Sequence, residues 1–580
     1  MKKNIYSFLL LSILLVGCDK VLDKEPLDLI TDQVVWKDPA LIDAFLADLY
    51  KRVDFIEVRG NDFSQTSHGL IASMSGNGRS FGTHHGSYKA STQVLTSDGA
   101  FPELDYWKYN NIREANYFLE KIQDSPLDQS LIDQRTAEVR FLRAYMYFQM
   151  VIRYGGVPLI LKPQAADASV DEIFVSRNSE KEVYDFIISE MSSISQILPA
   201  SSIQEKGRPS EMAALALKSR AALFASSIAK YGTKQLNGLL GFDSSDASTY
   251  AQICYDTSKY IIDSGSHALY EVHADPTVNF QNIFLDESSS NSEIIMSEVY
   301  DFSKNRAHAY SLRGMPHDYS NTWGSMCFLY DGTERFEYED GSPGTSISRE
   351  MIASKEWAPS ELWHNKDPRF KATVFYPESA WQGGKVLFHK KTIRGGETFT
   401  SGTAEDGWPY AATRRNYIRT GFIPRKRVNE TMTPDGVQSD DTDYIIFRVG
   451  EIYLNLAEAA LYLNKDAEAL NLLNRVRQRA GMPPKSSINE EILQNERLVE
   501  LTWENQSYWD LRRWRIAKDV LHGKRFQGLE YTYNYDTKKY IISFKNAEGV
   551  ARTFLDHNYY LPLGISRITE NNNFVENPGY

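Results

Sequence analysis

Residues 451–483 read EIYLNLAEAALYLNKDAEALNLLNRVRQRAGMP. Ile452, Leu456, Ala459, Ala460 and Leu463 recur at helical spacing and make one apolar stripe. Asp466 is placed to cap a second helix whose stripe is Leu470, Leu473 and Val476, and Gly481 with Pro483 stops it. Small alanines fall where two such antiparallel helices would cross, so the backbones can approach closely.

The same grammar runs back along the chain. From Asp38 the residues Leu41, Ala44, Phe45 and Leu49 follow a helical pattern, and a loop rich in Gly, Ser and His runs from Gly60 to Gly99. Helices are expected over Tyr106 to Ile122 and Leu131 to Tyr154, the second stopped by Gly155-Gly156-Val157-Pro158. Others are expected over Glu180 to Leu198, Pro209 to Lys230 and Tyr250 to Ile262. Paired helices of this kind resemble tetratricopeptide units of about 34 residues. Between Asp301 and Thr442 the periodicity fades into Gly, Ser, Thr and Pro punctuation, with short strands such as Thr373 to Tyr376. This insert interrupts the array, so a smooth solenoid is not expected.

The N-terminus has its own meaning. Lys2 and Lys3 precede a nearly unbroken apolar run from Ile5 to Val16, then Gly17 and Cys18. That is the order of an export signal with a small residue before the cut, and the run is too short to span a bilayer. The mature chain is expected to begin at Cys18, its thiol acylated, with 1–17 removed and 18–30 serving as a tether. Each buried acyl CH₂ holds such a chain on the membrane by roughly 0.8 kcal/mol.

Composition excludes some functions. The 580-residue chain has a net charge of −12, and loss of the first 17 residues removes two lysines and no acid. Such a chain repels polyphosphate, so nucleic acid is not an expected partner. Cys254 and Cys327 remain beside Cys18; they can be two buried thiols or one bridge. No His-Glu-x-x-His, Gly-x-Ser-x-Gly, Walker or Cys-x-x-Cys spacing is present. Gly76, Gly78 and Gly82 lack the spacing of a nucleotide loop, and His68 with His84-His85 reads as exposed loop more readily than as a metal site. Glu500 and Glu504 stand one helical turn apart near Arg512 and Arg513, where ion pairing explains them without catalysis. No enzymatic activity, cofactor or metal is therefore expected.

Aromatics make up 12% of the chain, and five of its ten tryptophans lie in the insert. A sugar presents C–H groups on one face and hydroxyls on its edge, which suits rings interleaved with polar side chains. Trp323, Tyr330, Trp357, Trp381, Trp408 and Tyr410 are the expected ligand residues, with Asn321, Asp331, Gln382 and Arg414 among them. The competing reading is that these rings plug the insert onto the helical body.

Four stretches together resemble the SusD/RagB family of nutrient-binding lipoproteins. They are Cys18 to Pro26 with its Leu22-Asp23; Glu138 to Phe148 continued by Tyr154-Gly155-Gly156-Val157-Pro158-Leu159; Arg448 to Trp514, including Glu451, Ala457-Glu458-Ala459 and Asp510-Leu511-Arg512-Arg513-Trp514; and Leu561-Pro562-Leu563 with Asn577-Pro578-Gly579-Tyr580. Asn505-Gln506 departs from the family, which has Gly there, but Asn tolerates the same backbone. The resemblance implies a mainly α protein with four tetratricopeptide-like helix pairs in a right-handed superhelical scaffold and a large insert of irregular loops and short strands. It implies regions 31–300, 301–442 (variable, ligand-binding) and 443–580, and a place on the outer face of the outer membrane. It also implies a role as lid on a SusC-like TonB-dependent barrel, passing it oligosaccharides or, in some members, peptides. A surface hydrolase and a purely architectural repeat protein are the remaining alternatives.

Overall fold

A computed structural model describes residues 32–55, 71–80, 82, 86–102, 104–165, 167–201, 204–316, 326–417, 419–432 and 439–580. The chain is mainly helical. Its principal helices are α1 (Pro39–Arg52), α2 (Tyr109–Lys121), α3 (Gln129–Tyr154), α4 (Glu180–Ile194), α5 (Glu211–Tyr231), α6 (Asp246–Asp263), α7 (Val449–Tyr462), α8 (Asp466–Arg479), α9 (Glu490–Glu500) and α10 (Ser507–Arg513). From α2 to α8 each packs on the one before it, and α7 resumes the stack on α6 after an excursion of nearly two hundred residues.

Local chemistry sets the boundaries. Asp38 accepts a bond from the Ala40 N–H with Pro39 at the first turn of α1, and Ser179 forms a reciprocal capping box with Glu182 at α4. In α1 the buried residues are Ile42, Leu46 and Leu49; of the expected stripe Leu49 is buried, Leu41 and Phe45 lie at the edge of the buried face, and Ala44 is outside it. The face carrying Ile and Leu buries more apolar area than the one carrying Ala44, which is exposed. At α8 the cap position is Lys465, without a side-chain bond, and Asp466 is the first helical residue, an acid where the helix dipole favours one. α7 is buried on nearly all sides because α6, α8 and α9 surround it. α5 is long and apolar enough to cross a membrane, yet 89% of its most apolar window is buried in the protein.

The Gly155-Gly156 stop has a specific cause. Gly155 has φ +74°, in the left-handed region, while a Cβ on Gly156 would stand 2.0 Å from the Asn178 carbonyl oxygen and 2.9 Å from the Glu180 nitrogen. Both obstacles are backbone at the start of α4, so the second glycine lets the chain cross there. Gly156→Ala is expected to destabilise the protein by roughly 2 kcal/mol, as overpacking does. Urea unfolding of this variant within experimental error of the parent would refute that account.

The region between α6 and α7 pairs partly with itself and partly with the N- and C-terminal parts of the chain. Gly78–Ser80 pairs with Met326–Phe328, and Ile294–Glu298 with Tyr444–Arg448. The expected strand near 373–376 is Val374–Phe375, paired with Ile423–Pro424. A five-stranded sheet runs in the order β1 (Glu356–Trp357), β5 (Lys539–Asn546), β4 (Gln527–Asn534), β2 (His389–Arg394), β3 (Glu397–Phe399). Its two longest strands lie beyond residue 443, in what the sequence presented as purely helical.

Buried ion pairs tie these parts together. Glu500 accepts from Arg369, Arg448 and Arg479; Glu293 binds Arg448 and Arg479; Glu496 binds Arg369 and Arg477; Glu504 binds Arg448 and Lys426. The expected partners Arg512 and Arg513 face elsewhere: Arg513 grips Glu458 and Asp510, and Arg512 donates to the Tyr559 carbonyl. Cys254 and Cys327 are both buried free thiols, so no bridge joins them.

Candidate glycan-binding ledge

The expected ligand residues divide sharply by burial. Tyr330 is 2% exposed, packed on Phe544 under the Arg349 guanidinium. Trp357 is 5% exposed and donates its indole N–H to the Ile352 carbonyl. Trp381 is 1% exposed, edge-on to Phe375 at 5.4 Å. These rings hold the insert to the body and present no face to a ligand here. Trp323 and Asn321 lie outside the described residues, as do Cys18, His68, His84 and His85. Among the polar companions, Asp331 receives Arg349 and the Gln527 N–H, Gln382 donates to the Glu430 and Met432 carbonyls, and Arg414 is exposed. Gly78 lies on a strand where a Cβ would meet the Trp503 ring at 2.2 Å, so packing explains it and not a phosphate loop.

Trp408 and Tyr410 are different. Both are half buried, and the structure brings them together over the sheet. Segment 403–412 lies along β2: the Thr392 hydroxyl donates to the Tyr410 carbonyl, and the Ala412 N–H to the His389 carbonyl. A tight loop fixes the indole. The Trp408 backbone N–H donates to the Asp406 carboxylate, its carbonyl accepts from the Ala404 N–H, and its ring lies nearly parallel to His389 (14°, 5.8 Å) and 4.6 Å from Tyr533. Tyr410 stacks on Phe399 at 4.6 Å and accepts from Arg394 through its hydroxyl.

Phe399, Arg394 and Tyr535 complete a ledge that sequence reading missed. The Arg394 guanidinium lies 4.8 Å over Tyr535, whose hydroxyl donates to Asp406 at 2.8 Å. Phe399, Tyr535, Trp408 and Tyr410 all keep part of their rings in solvent. The missed signal was the alternation of Leu529, Tyr531 and Tyr533 with Tyr540 and Ile542 across a short turn, which marks a hairpin that carries Tyr535 at its tip.

Local partners set the charge of the groups around the ledge. The Tyr535 hydroxyl and the Trp408 N–H hold Asp406 below the usual carboxylate range; its own backbone N–H and Arg394 do the same for Glu405. Burial drives His389 down to about 4, so the imidazole beneath Trp408 is neutral at pH 7 and bonds the Pro409 carbonyl through Nε2. The described residues contain no cluster of His, Cys, Asp and Glu able to hold a metal ion.

Known proteins place the chain in a family. The SusD family matches residues 292–580, and the family described as "Starch-binding associating with outer membrane" matches residues 21–223. SusD-like protein P2 of Formosa agariphila is 23% identical over the whole of both chains. A SusD-like protein of Bacteroides fragilis has a crystal structure similar to this one, with a TM-score of 0.73 at 25% identity, covering 96% of this chain and all of that one. A laminarin-binding SusD-like protein aligns with a TM-score of 0.61 at 20% identity, over 94% of this chain and all of its own. With the helix stack interrupted by a sheet-bearing insert and both ends of the sequence matched, the chain belongs to the SusD/RagB family.

Proposed function

We propose that the protein is a non-enzymatic, cell-surface lipoprotein, acylated at Cys18, that binds oligosaccharide and delivers it to a SusC-like TonB-dependent outer-membrane barrel. The observation that carries the ligand class is the ledge of Trp408, Tyr410, Phe399 and Tyr535, edged by Arg394 and Asp406. Half-exposed rings supply apolar faces for sugar C–H groups, and the edge groups supply donors and acceptors for hydroxyls. The laminarin-binding relative supports a glucan-like ligand. The carboxylates of this ledge, Asp406 and Glu405, are engaged by Tyr535 and Arg394, which supports capture without turnover. A lipid tether would keep the protein concentrated beside its barrel without any added contact.

Trp408→Ala with Tyr410→Ala is expected to weaken retardation on laminarin-containing native gels by roughly tenfold to a hundredfold, two rings each being worth about 1 kcal/mol. The unfolding midpoint should fall modestly, because Trp408 packs on His389 and Tyr533 and Tyr410 on Phe399 at the edge of the core. Unchanged retardation would move the ligand elsewhere, release of reducing ends from laminarin would make the protein a hydrolase, and capture of peptides in place of glucan would make it a peptide carrier.

A further inference from the structure

A cavity of about 450 Å³ opens between Tyr231 at the end of α5, the turn Thr233–Leu240, and the C-terminal segments 556–560 and 577–579. It shares no residue with the ledge, and its volume is in the range of small-molecule sites, roughly 300–1,000 Å³. Arg515 on its wall has φ +58°. A helix end with a left-handed residue ordinarily uses Gly or Asn, so an arginine here is kept against its backbone preference for what its side chain does.

The guanidinium lies 4.9 Å from the Tyr559 ring and 4.8 Å from the Tyr560 ring, and donates to the Tyr560 hydroxyl at 2.7 Å and to the Arg512 carbonyl at 3.4 Å. Among the described residues no carboxylate stands within ion-pair distance of it, whereas Arg220, Arg369, Arg448 and Arg513 are each matched by acids. Of the two nearby acids, Asp556 is fully engaged, whereas buried Glu180 keeps one oxygen without a hydrogen-bond partner and feels the charge of Arg515 across the Tyr560 hydroxyl. Both Asp556 oxygens receive Lys518, and one oxygen of buried Glu180 receives the Tyr560 hydroxyl and the Gly241 N–H. The Tyr560 hydroxyl thus stands between Glu180 and the arginine.

We infer that this cavity is a second saccharide site, taking a sugar that bears a carboxylate, a uronate unit. The carboxylate pairs with Arg515, whose planar fork matches it. The half-buried rings of Tyr231 and Tyr559 receive the sugar's C–H face, and exposed Gln235 at the rim bonds hydroxyls. Asn577 fixes the opposite wall by donating to the Tyr154 and Leu561 carbonyls. The saccharide class rests on the proposed function; the place and the charge preference rest on the cavity alone.

The test uses the full-length protein carrying the Trp408→Ala and Tyr410→Ala exchanges, so that the ledge is already disabled. Calorimetric titration with cellobiouronic acid is expected to show saturable binding, with cellobiose roughly tenfold weaker, since a hydrogen bond to a charged group is worth about tenfold or more. Arg515→Gln should reduce the uronate to the level of the neutral sugar. Because Arg515 also braces Tyr560, the rim exchange Gln235→Trp serves as a second variant, expected to abolish binding of both sugars with an unchanged unfolding midpoint. The inference is overturned by absence of uronate binding at millimolar concentration, by uronate affinity indifferent to both exchanges, or by an acetylated dipeptide carboxylate binding as tightly. Laminarin retardation by the parent is independent of all three outcomes, so failure here and failure of the ledge are told apart.

Discussion

Exchange of Glu500 for glutamine is expected to lower the unfolding free energy by about 3–5 kcal/mol, the loss seen when one member of a buried ion cluster is removed. Glu500 is wholly buried, and its oxygens receive Arg448 at 2.8 Å, Arg369 at 3.0 Å and Arg479. Burial alone would raise its pKa; Arg479, Arg448, Arg369 and Lys426 instead hold it far below the usual carboxylate range. The cluster is balanced, with Asp367, Glu293, Glu496, Glu500 and Glu504 against Arg369, Arg448, Arg477, Arg479 and Lys426. Glutamine keeps the shape and removes one charge, leaving an unmatched cation in a buried region where charges are weakly screened. The cluster joins the start of α7, the ends of α8 and α9, and the segment before Ile294–Glu298, so the loss is felt where the insert meets the helix stack. Urea unfolding of Glu500→Gln measures it. A change under about 1 kcal/mol would mean that the remaining ions rearrange to share the deficit.

That cluster also marks where sequence reading stopped. Helix positions were legible because caps and stops are local: Asp38 before Pro39, Ser179 before Glu182, Gly155-Gly156 before Pro158. Charge partners are not local. Glu500 and Glu504 precede Arg512 and Arg513 by about three helical turns, but α9 ends at Glu500 and the chain takes left-handed conformations at Trp503 and Asn505. The turn carries Arg513 round to Glu458, while Arg448, 52 residues upstream of Glu500, fills the expected place. Which aromatic rings face solvent is not legible for a related reason. For Trp381 and Tyr330 the sequence leaves ligand stacking and core packing both open, and their burial is set by Phe375 and by Phe544 on a strand that helical periodicity does not reveal. Trp408 and Tyr410 emerged from the same argument as surface rings because β2 and β4 occupy the space beneath them.

Stability is expected to be nearly flat from pH 7 to about 4.5 and then to fall steeply toward pH 2. Two strongly shifted groups oppose one another on the plateau, and the others there follow the same two signs, with burial lowering His267, His364 and His557 and raising Asp54, Glu180 and Asp367. Burial raises Glu298 to about 7, against its Arg306 partner, so the folded chain holds that proton more tightly than the unfolded one and gains stability as the pH drops from 7 toward 4.5. Burial lowers His389 to about 4 from 6.5, so the unfolded chain takes up its proton first and stability is lost as the pH drops through the same range. Each is worth about 3 kcal/mol with opposite sign, and they largely cancel. Below 4.5 the balance disappears. Burial works against the charge of Glu458, but Arg513, Arg497 and the Trp514 indole N–H hold it down to about 2. Its stabilisation is therefore complete above 4.5 and is lost as the pH falls through 2, about 3 kcal/mol from this residue, and Glu500 adds to the same slope. Urea midpoints at pH 7, 5.5, 4.5 and 3 trace the curve. Glu298→Gln removes the compensating term, so this variant should lose stability steadily from pH 6.5 downward. If it instead keeps the plateau, His389 is not paying a burial penalty beneath Trp408, and the imidazole under the ledge is open to solvent.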